Sequence, residues 1–240
     1  MKLFAIADLH LPGGDCKPMD VFGPHWEGHF DRIREDWRQR VTDADAVLLP
    51  GDLSWAMHLR EALPDLEAIA ELPGRKLILK GNHDYWWPSI SQLRTVLPAG
   101  MEAIQHSAAD LGSCVVCGTR GWMFPSPENP LDEENERIFH RELIRLEMAL
   151  REGRKLAGDR PLVVMTHYPP LLTDAADTAF TELLSRWNVR LAVYGHLHGA
   201  GIKAGFNGNH GGVEYRLVSC DALDFHLAEL TTDLSAADKM

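Results

Sequence analysis

Short apolar runs alternate with amphipathic stretches along most of the chain. Lys2–Ala7, Ala46–Leu49, Lys76–Lys80, Pro161–Met165 and Leu191–Tyr194 have continuous hydrophobic centres and read as strands buried on both faces. Between them, His29–Arg40 sets Phe30, Ile33 and Trp37 at helical spacing. Glu61–Leu72 does the same with Leu63, Leu66, Ile69 and Ala70, and Pro73-Gly74 ends it. Ser89–Leu97 opens on a Ser cap and closes before Pro98 and Gly100. Asp132–Arg151 is the longest helical pattern, with Gly153 as its stop, and Ala179–Trp187 is a further helix. Ala103–His106 and Ser113–Thr119 read as a strand pair about a turn at Asp110-Leu111-Gly112. Val213–Ser219 and Phe225–Leu230 are closing strands, and Thr231–Met240 is a loose tail. Leu11–Gly28 and Pro125–Pro130 are loops. Gly199–Gly212 is a glycine-rich hairpin or loop without the Gly-Lys-Ser/Thr signature of a phosphate loop. Strands alternating with helices predict an α/β fold. With no repeat and no long linker, residues 1–240 are expected to form one domain.

Composition narrows the setting. At 240 residues and 45% hydrophobic, the chain can bury a sizeable core. No apolar run reaches the ~18 residues of a membrane span. Leu3–Ala7 is too short for the core of a signal peptide, so a cytoplasmic protein is expected. A net charge of −11 argues against binding along nucleic-acid backbones. Metal bound by acidic residues would cancel part of that charge. Of four cysteines (Cys16, Cys114, Cys117, Cys220), Cys114 and Cys117 form a C-x-x-C without a second pair. Three apart on a strand they face opposite ways, so core packing of reduced thiols is expected.

Chemistry concentrates where strands end. The carboxyl ends of strands are where open α/β sheets place ligands. After Lys2–Ala7 come Asp8 and His10, whose i, i+2 spacing turns both the same way in extended backbone. After Ala46–Leu49 come Pro50, Gly51 and Asp52. Lys76–Lys80 runs into Gly81-Asn82-His83-Asp84. There Asn82 offers a hard carbonyl oxygen, His83 can donate or accept a proton, and Asp84 can hold that imidazole in one tautomer. Pro161–Met165 leads to His167, and Leu191–Tyr194 leads to His196 and His198. Mixed carboxylate, amide and imidazole ligands suit Mn²⁺, Fe or Zn²⁺. Leaving His83 aside, the ligand-type residues are too many for one ion and suit two metals sharing a carboxylate. Trp86 in Tyr85-Trp86-Trp87-Pro88 is either core packing or a wall of a substrate cleft. Arg120 is either a phosphate contact or part of a structural ion pair.

The ordered set Asp8-x-His10, Gly51-Asp52, Gly81-Asn82-His83-Asp84, His167, Gly195-His196-x-His198 resembles the calcineurin-like metallophosphoesterase superfamily, over residues 8–198. The flanking Gly51–Trp55 and Asn82–Trp87 look like a bacterial subgroup of predicted phosphohydrolases. The resemblance implies a four-layer α-β-β-α sandwich, two mixed sheets flanked by helices. It implies that Asp8, His10, Asp52 and His198 hold one metal and that Asp52, Asn82, His167 and His196 hold the other, with Asp52 bridging. It further implies attack on a phosphoester by a hydroxide between the metals, with His83, steadied by Asp84, protonating the leaving oxygen. A small phosphodiester is the favoured substrate, ahead of a phosphomonoester or a phosphoprotein. A metal-free scaffold is disfavoured by the complete ligand set, and a nuclease by the acidic charge. A monomer or homodimer is expected.

Overall fold

The computed structural model describes residues 1–14, 19–126, 130–173 and 177–235; Cys16 lies outside them. In chain order the first half holds β1 (Leu3–Ala5), α1 (His29–Arg40), β2 (Ala46–Leu49), α2 (Leu59–Ala70), β3 (Arg75–Leu79), α3 (Ile90–Arg94), β4 (Met101–Ile104), β5 (Ser107–Asp110) and β6 (Val115–Gly118). The second half holds α4 (Glu133–Ala157), β7 (Leu162–Met165), α5 (Ala179–Arg186), β8 (Leu191–Tyr194), β9 (Gly208–His210), β10 (Val213–Leu217), β11 (Ala228–Glu229) and α6 (Thr231–Ser235).

The strands form two mixed sheets. One has five strands in the order β11-β1-β2-β3-β4, parallel except for β11. The other has six in the order β5-β6-β7-β8-β10-β9, with antiparallel strands at both edges. Alternate residues of each strand build separate layers, as the two-residue period requires. Leu3, Leu48 and Leu77 of the first sheet meet Val116, Val163 and Val193 of the second. Phe4, Val47 and Ile78 point the other way, onto Ile33, Trp37 and Leu66 of α1 and α2. Val164, Ala192 and Tyr215 face Leu146, Leu150 and Phe180 of α4 and α5. The result is an α/β fold of the calcineurin-like sandwich type. Each fully buried Leu, Ile or Val in these layers contributes about 1.5–3 kcal/mol, in keeping with the wholly apolar β1, β2, β7 and β8, whereas β10 alternates Glu214 and Arg216 with buried residues. No helix among the described residues is long and apolar enough to cross a membrane.

The structure refines the sequence pattern in several places. Ala103–His106 does not pair with Ser113–Thr119. Its residues belong largely to β4, in the first sheet, while the partner of β6 is Ser107–Asp110. The helix expected to stop at Gly153 runs through it to Ala157 and ends at Gly158, with φ 58°. Gly153 is there because the helix lies close on the sheet: a Cβ would come within 2.8 Å of Leu162 Cδ1. The start of the tail is the helix α6, tied down by Arg216–Asp233 at 3.0 Å and by Leu3 N–H donating to Thr231 Oγ1 at 3.1 Å. The closing strand expected over Phe225–Leu230 is reduced to Ala228–Glu229. Gly199–Gly212 divides into a 3₁₀ turn over Gly199–Ala204 and the β9 arm of a hairpin with β10.

One junction sets up the site. Past β1 the chain leaves the first sheet, and Ala7 pairs in parallel with Ser219, just beyond β10. The two sheets are thereby joined at their carboxyl ends, where the polar turns gather.

Candidate metal centre and active site

The turns after β1 and β2 bond to each other through the backbone, as do those after β7 and β8. Asp8 N–H donates to Gly51 O at 3.0 Å, His10 N–H to Asp52 O at 3.0 Å, and Gly195 N–H to His167 O at 3.2 Å. Side chains add to this mesh. His196 N–H donates to Asp8 Oδ2 at 3.0 Å, and His83 N–H donates to Asp52 Oδ1 at 2.8 Å. Asp8, His10, Asp52 and His196 all have φ between 47° and 73°, in the left-handed region that non-glycine residues seldom enter. Such strain persists only where surrounding contacts over-determine it, and it clusters at functional sites.

The side chains of Asp8, His10, Asp52, Asn82, His167, His196 and His198 converge in two groups. In the first, His10 Nε2 lies 3.3 Å from His198 Nε2, and His198 Nε2 lies 3.4 Å from Asp8 Oδ1. In the second, Asn82 Oδ1 lies 2.6 Å from His167 Nε2 and 2.8 Å from His196 Nδ1. Asp52 Oδ2 stands between the groups, 3.9 Å from His10 Nε2 and 3.4 Å from His167 Nε2. Ligand atoms of Asp8, His10 and His198, and of Asp8, Asp52 and His167, lie within 4.8 Å of one another.

The donor chemistry tests whether cations fit there. The Pro50 carbonyl, 3.0 Å from His167 Nδ1, can only accept, so that nitrogen carries the proton. When the ring is neutral, as a metal ligand must be, its Nε2 lone pair aims at Asn82 Oδ1 and Asp52 Oδ2, so that three acceptors face one point. His198 repeats the arrangement: Nδ1 donates to Asp221 Oδ1 at 2.9 Å, and the Nε2 lone pair meets His10 Nε2 and Asp8 Oδ1. Asp52 Oδ2 and His10 Nδ1 are buried without a hydrogen-bond partner. Lone pairs converging in this way require a positive charge between them, supplied by protons or by metal. Burial opposes charge on His167 and His198, yet neighbouring carboxylates prevail. Asp52 and Asp8 raise His167 to about 9, and Asp8 with Asp221 raises His198 to about 10. Burial prevails at His10 and at His196, where the His167 charge adds to it, and both fall to about 4. Burial raises the pKa of the Asp8 and Asp52 carboxyls too, but the histidine charges outweigh it and hold both below the usual carboxylate range. The residues present therefore fit divalent cations.

His83 belongs to neither group. It lies half-buried with its ring 4.6 Å from that of Trp55 and 6.3 Å from that of Tyr85. Asp84, expected to steady His83, accepts instead from the N–H groups of Gly81 and Asp52 (2.8 Å each), Leu53 (2.9 Å), Ser54 (3.3 Å) and Trp86 Nε1 (3.0 Å). It thus organises the backbone that carries Asp52. Trp86 is 2% exposed and serves that network. Arg120 forms no ion pair among the described residues and stacks on Trp122 at 4.5 Å.

Three contributors were not foreseen. Asp221 orients His198 and also accepts from Gly199 N–H at 2.9 Å. It is a carboxylate just past the end of β10, so the strand-end rule that located the others reaches it as well. Trp55 stacks on His10 at 4.6 Å, and Tyr168 lies 4.2 Å from the His196 ring. These aromatic walls leave no periodic signal.

The sequence matches the calcineurin-like phosphoesterase family over residues 1–200, and the chain belongs to that family. It is a metal-dependent phosphoester hydrolase, of a family whose members typically bind two divalent metals. No curated protein matches the sequence. Solved structures share the fold. Phosphopantetheinyl hydrolase (PptH) from Mycobacterium tuberculosis is 16% identical with TM-score 0.59, covering 99% of this chain and 98% of its own. TT1561 of Thermus thermophilus is 13% identical with TM-score 0.54, covering 95% and 97%. AQ665 from Aquifex aeolicus, of unknown function, is 14% identical with TM-score 0.50, covering 95% of each.

Proposed function

We propose that the chain hydrolyses a phosphodiester at a centre of two divalent cations. Asp8, His10, Asp52 and His198 would hold one, and Asp52, Asn82, His167 and His196 the other. The observation that carries this reading is the placement of Asp52 Oδ2, which is unpartnered, buried and within 3.9 Å of both His10 Nε2 and His167 Nε2. Asp8 comes within 3.9 Å of His167 only at Nδ1, the nitrogen committed to Pro50, so Asp52 is the carboxylate suited to both cations. Cations bound there supply Lewis acidity, neutralising phosphoryl oxygens and lowering the pKa of water.

The protein's own groups do the rest. Asp221 and the Pro50 carbonyl fix the tautomers of His198 and His167, so that Nε2 of each ring faces inward. His83, outside both ligand groups and held against Trp55, donates a proton to the leaving alkoxide, a contribution of typically ~10²–10⁴-fold. Asp84 keeps the Asp52 loop in place and acts on catalysis only through it. The diester preference is kept from the sequence reading; the cations nearest the centre, Lys80 and Arg120, line the neighbouring cavity and form no ion pair with the ligand-type side chains among the described residues.

Release of p-nitrophenol from bis-p-nitrophenyl phosphate and from p-nitrophenyl phosphate, measured side by side with Mn²⁺ and again with chelator, tests the reading. Chelator-sensitive release favouring the diester is expected. Release mainly from the monoester would overturn the diester preference, and release indifferent to chelator would overturn the metal centre.

A further inference from the structure

A polar cavity of about 260 Å³ opens at the carboxyl ends of β3, β4 and β6. It is far roomier than one water, which takes ~30 Å³ of the liquid. Lys80, Arg120, Arg141 and Arg145 line it, with Glu142. Glu142 is 1% exposed and already committed: Arg145 Nη1 and Thr119 Oγ1 each donate to it at 2.6 Å. Lys80, Arg120 and Arg141 have no carboxylate within ion-pair distance among the described residues. Three cations without an ion pair thus share one space with the single carboxylate of Glu142, which also acts on Arg120, so positive charge is in excess there in a chain of net charge −11, and an anion in the cavity would relieve the repulsion. The pocket also holds His106, whose buried Nδ1 has no hydrogen-bond partner.

The cavity adjoins the metal ligands. Lys80 stands two residues before Asn82, at most about 7 Å along extended backbone. Arg120 O accepts from His167 N–H at 2.9 Å. The Arg120 guanidinium lies over Trp122, Trp122 packs on Tyr168 at 4.9 Å, and Tyr168 reaches His196, so one aromatic wall runs from cavity to centre.

We infer that this basic cavity is a subsite for a second phosphate group of the substrate, clasped by Arg120 and Arg141 while the scissile phosphodiester lies at the metal centre. Guanidinium forks match phosphate oxygens in shape and charge. The inference rests on the phosphodiesterase reading and selects, within it, substrates carrying a second phosphate.

Two measurements on the full chain test it. The metal-loaded enzyme is assayed on the thymidine 5′-(p-nitrophenyl phosphate) ester with and without a 3′-phosphate. Wild type is expected to favour the two-phosphate compound, and Arg141→Ala, at an exposed position, is expected to lower the ratio of the two kcat/KM values about tenfold or more. Arg120→Ala is expected to lower it likewise, and Arg141→Lys to restore part of it. A ratio unmoved by all three would overturn the subsite. Calorimetric titration with inorganic phosphate in chelator isolates the cavity from the metals. Binding is expected in wild type, about tenfold weaker in Arg141→Ala. Phosphate binding without any substrate preference would mean an adventitious ion only, and would also overturn the proposal. If neither ester is hydrolysed but phosphate binds and Arg141→Ala weakens it, the phosphodiesterase reading fails while the anion site stands.

Discussion

At the scale of single residues, the centre separates into groups that gather charge and groups that aim them. His83 lies outside the ligand groups, so its loss should leave the cations in place. His83→Ala is expected to keep the wild-type metal content and lower kcat by about 10²–10⁴-fold. Metal analysis beside steady-state kinetics checks both, and unchanged turnover would remove His83 from the mechanism. Asp221 acts one step away, through His198. Asp221→Asn is expected to weaken metal affinity or activity by about 10–100-fold while the protein stays folded. Protons compete with metal at the same lone pairs. His167, raised to about 9, and His198, raised to about 10, both carry a second proton, on Nε2, at neutral pH when no cation is bound. Binding must displace those protons, so Mn²⁺ affinity is expected to fall as pH drops from slightly alkaline to slightly acidic. Calorimetry at the two pH values reads this directly, and an affinity indifferent to pH would contradict it.

At the scale of elements, the parallel strands and their polar ends were legible because burial on both faces leaves β1, β2, β7 and β8 without a charged residue until the strand stops; β3 departs from this with buried Lys76, whose Nζ donates to Ala70 O at 3.0 Å. That single rule brought out Asp8, His10, Asp52, Asn82, His167, His196 and His198 from the sequence. Local patterns failed where partners come from elsewhere in the chain. Gly153 reads as a helix stop, yet it is the position where α4 touches Leu162 and Cys117. Asp84 reads as the partner of its neighbour His83, yet its bonds run to the Asp52 turn, whose return to the same place no spacing announces. The β3 turn shows how tightly these elements meet. A Cβ on Gly81 would collide with the Asp52 carboxylate and backbone. Gly81→Ala is therefore expected to lower stability by about 1–3 kcal/mol in chemical denaturation and to weaken metal binding with it. Full stability with full metal content would mean that the turn yields more than its packing implies. The strand assignment of Cys114 and Cys117 has its own consequence. The first faces the layer between the sheets and the second faces α4. Burial pushes the Cys114 thiol up to about 11 and holds those of Cys117 and Cys220 well above the ordinary range. All three are expected to resist alkylation at neutral pH until the chain is unfolded, as read by peptide mass mapping.

At the scale of the whole molecule, two sheets meet at their carboxyl ends and set five turns against one another. Ala7, bridging to Ser219, makes the two sheets one support for the centre. Neither sheet alone carries a full ligand group: Asp8, His10, Asp52 and Asn82 follow strands of the first, and His167, His196 and His198 follow strands of the second. Packing between the sheets therefore controls catalysis at a distance. The acidic surface and the basic cavity beside the centre belong to this scale too, since a local positive site in a negative field selects small anions over long ones. The central claim is that Asp52 is shared by two cations. The most direct test is metal content per chain, by elemental analysis after Mn²⁺ loading, in the wild type and in Asp52→Asn, with turnover of bis-p-nitrophenyl phosphate measured on the same samples. Two ions per wild-type chain are expected, with both ions and turnover lost together in Asp52→Asn. One ion per wild-type chain, or two ions retained in the variant, would contradict the account.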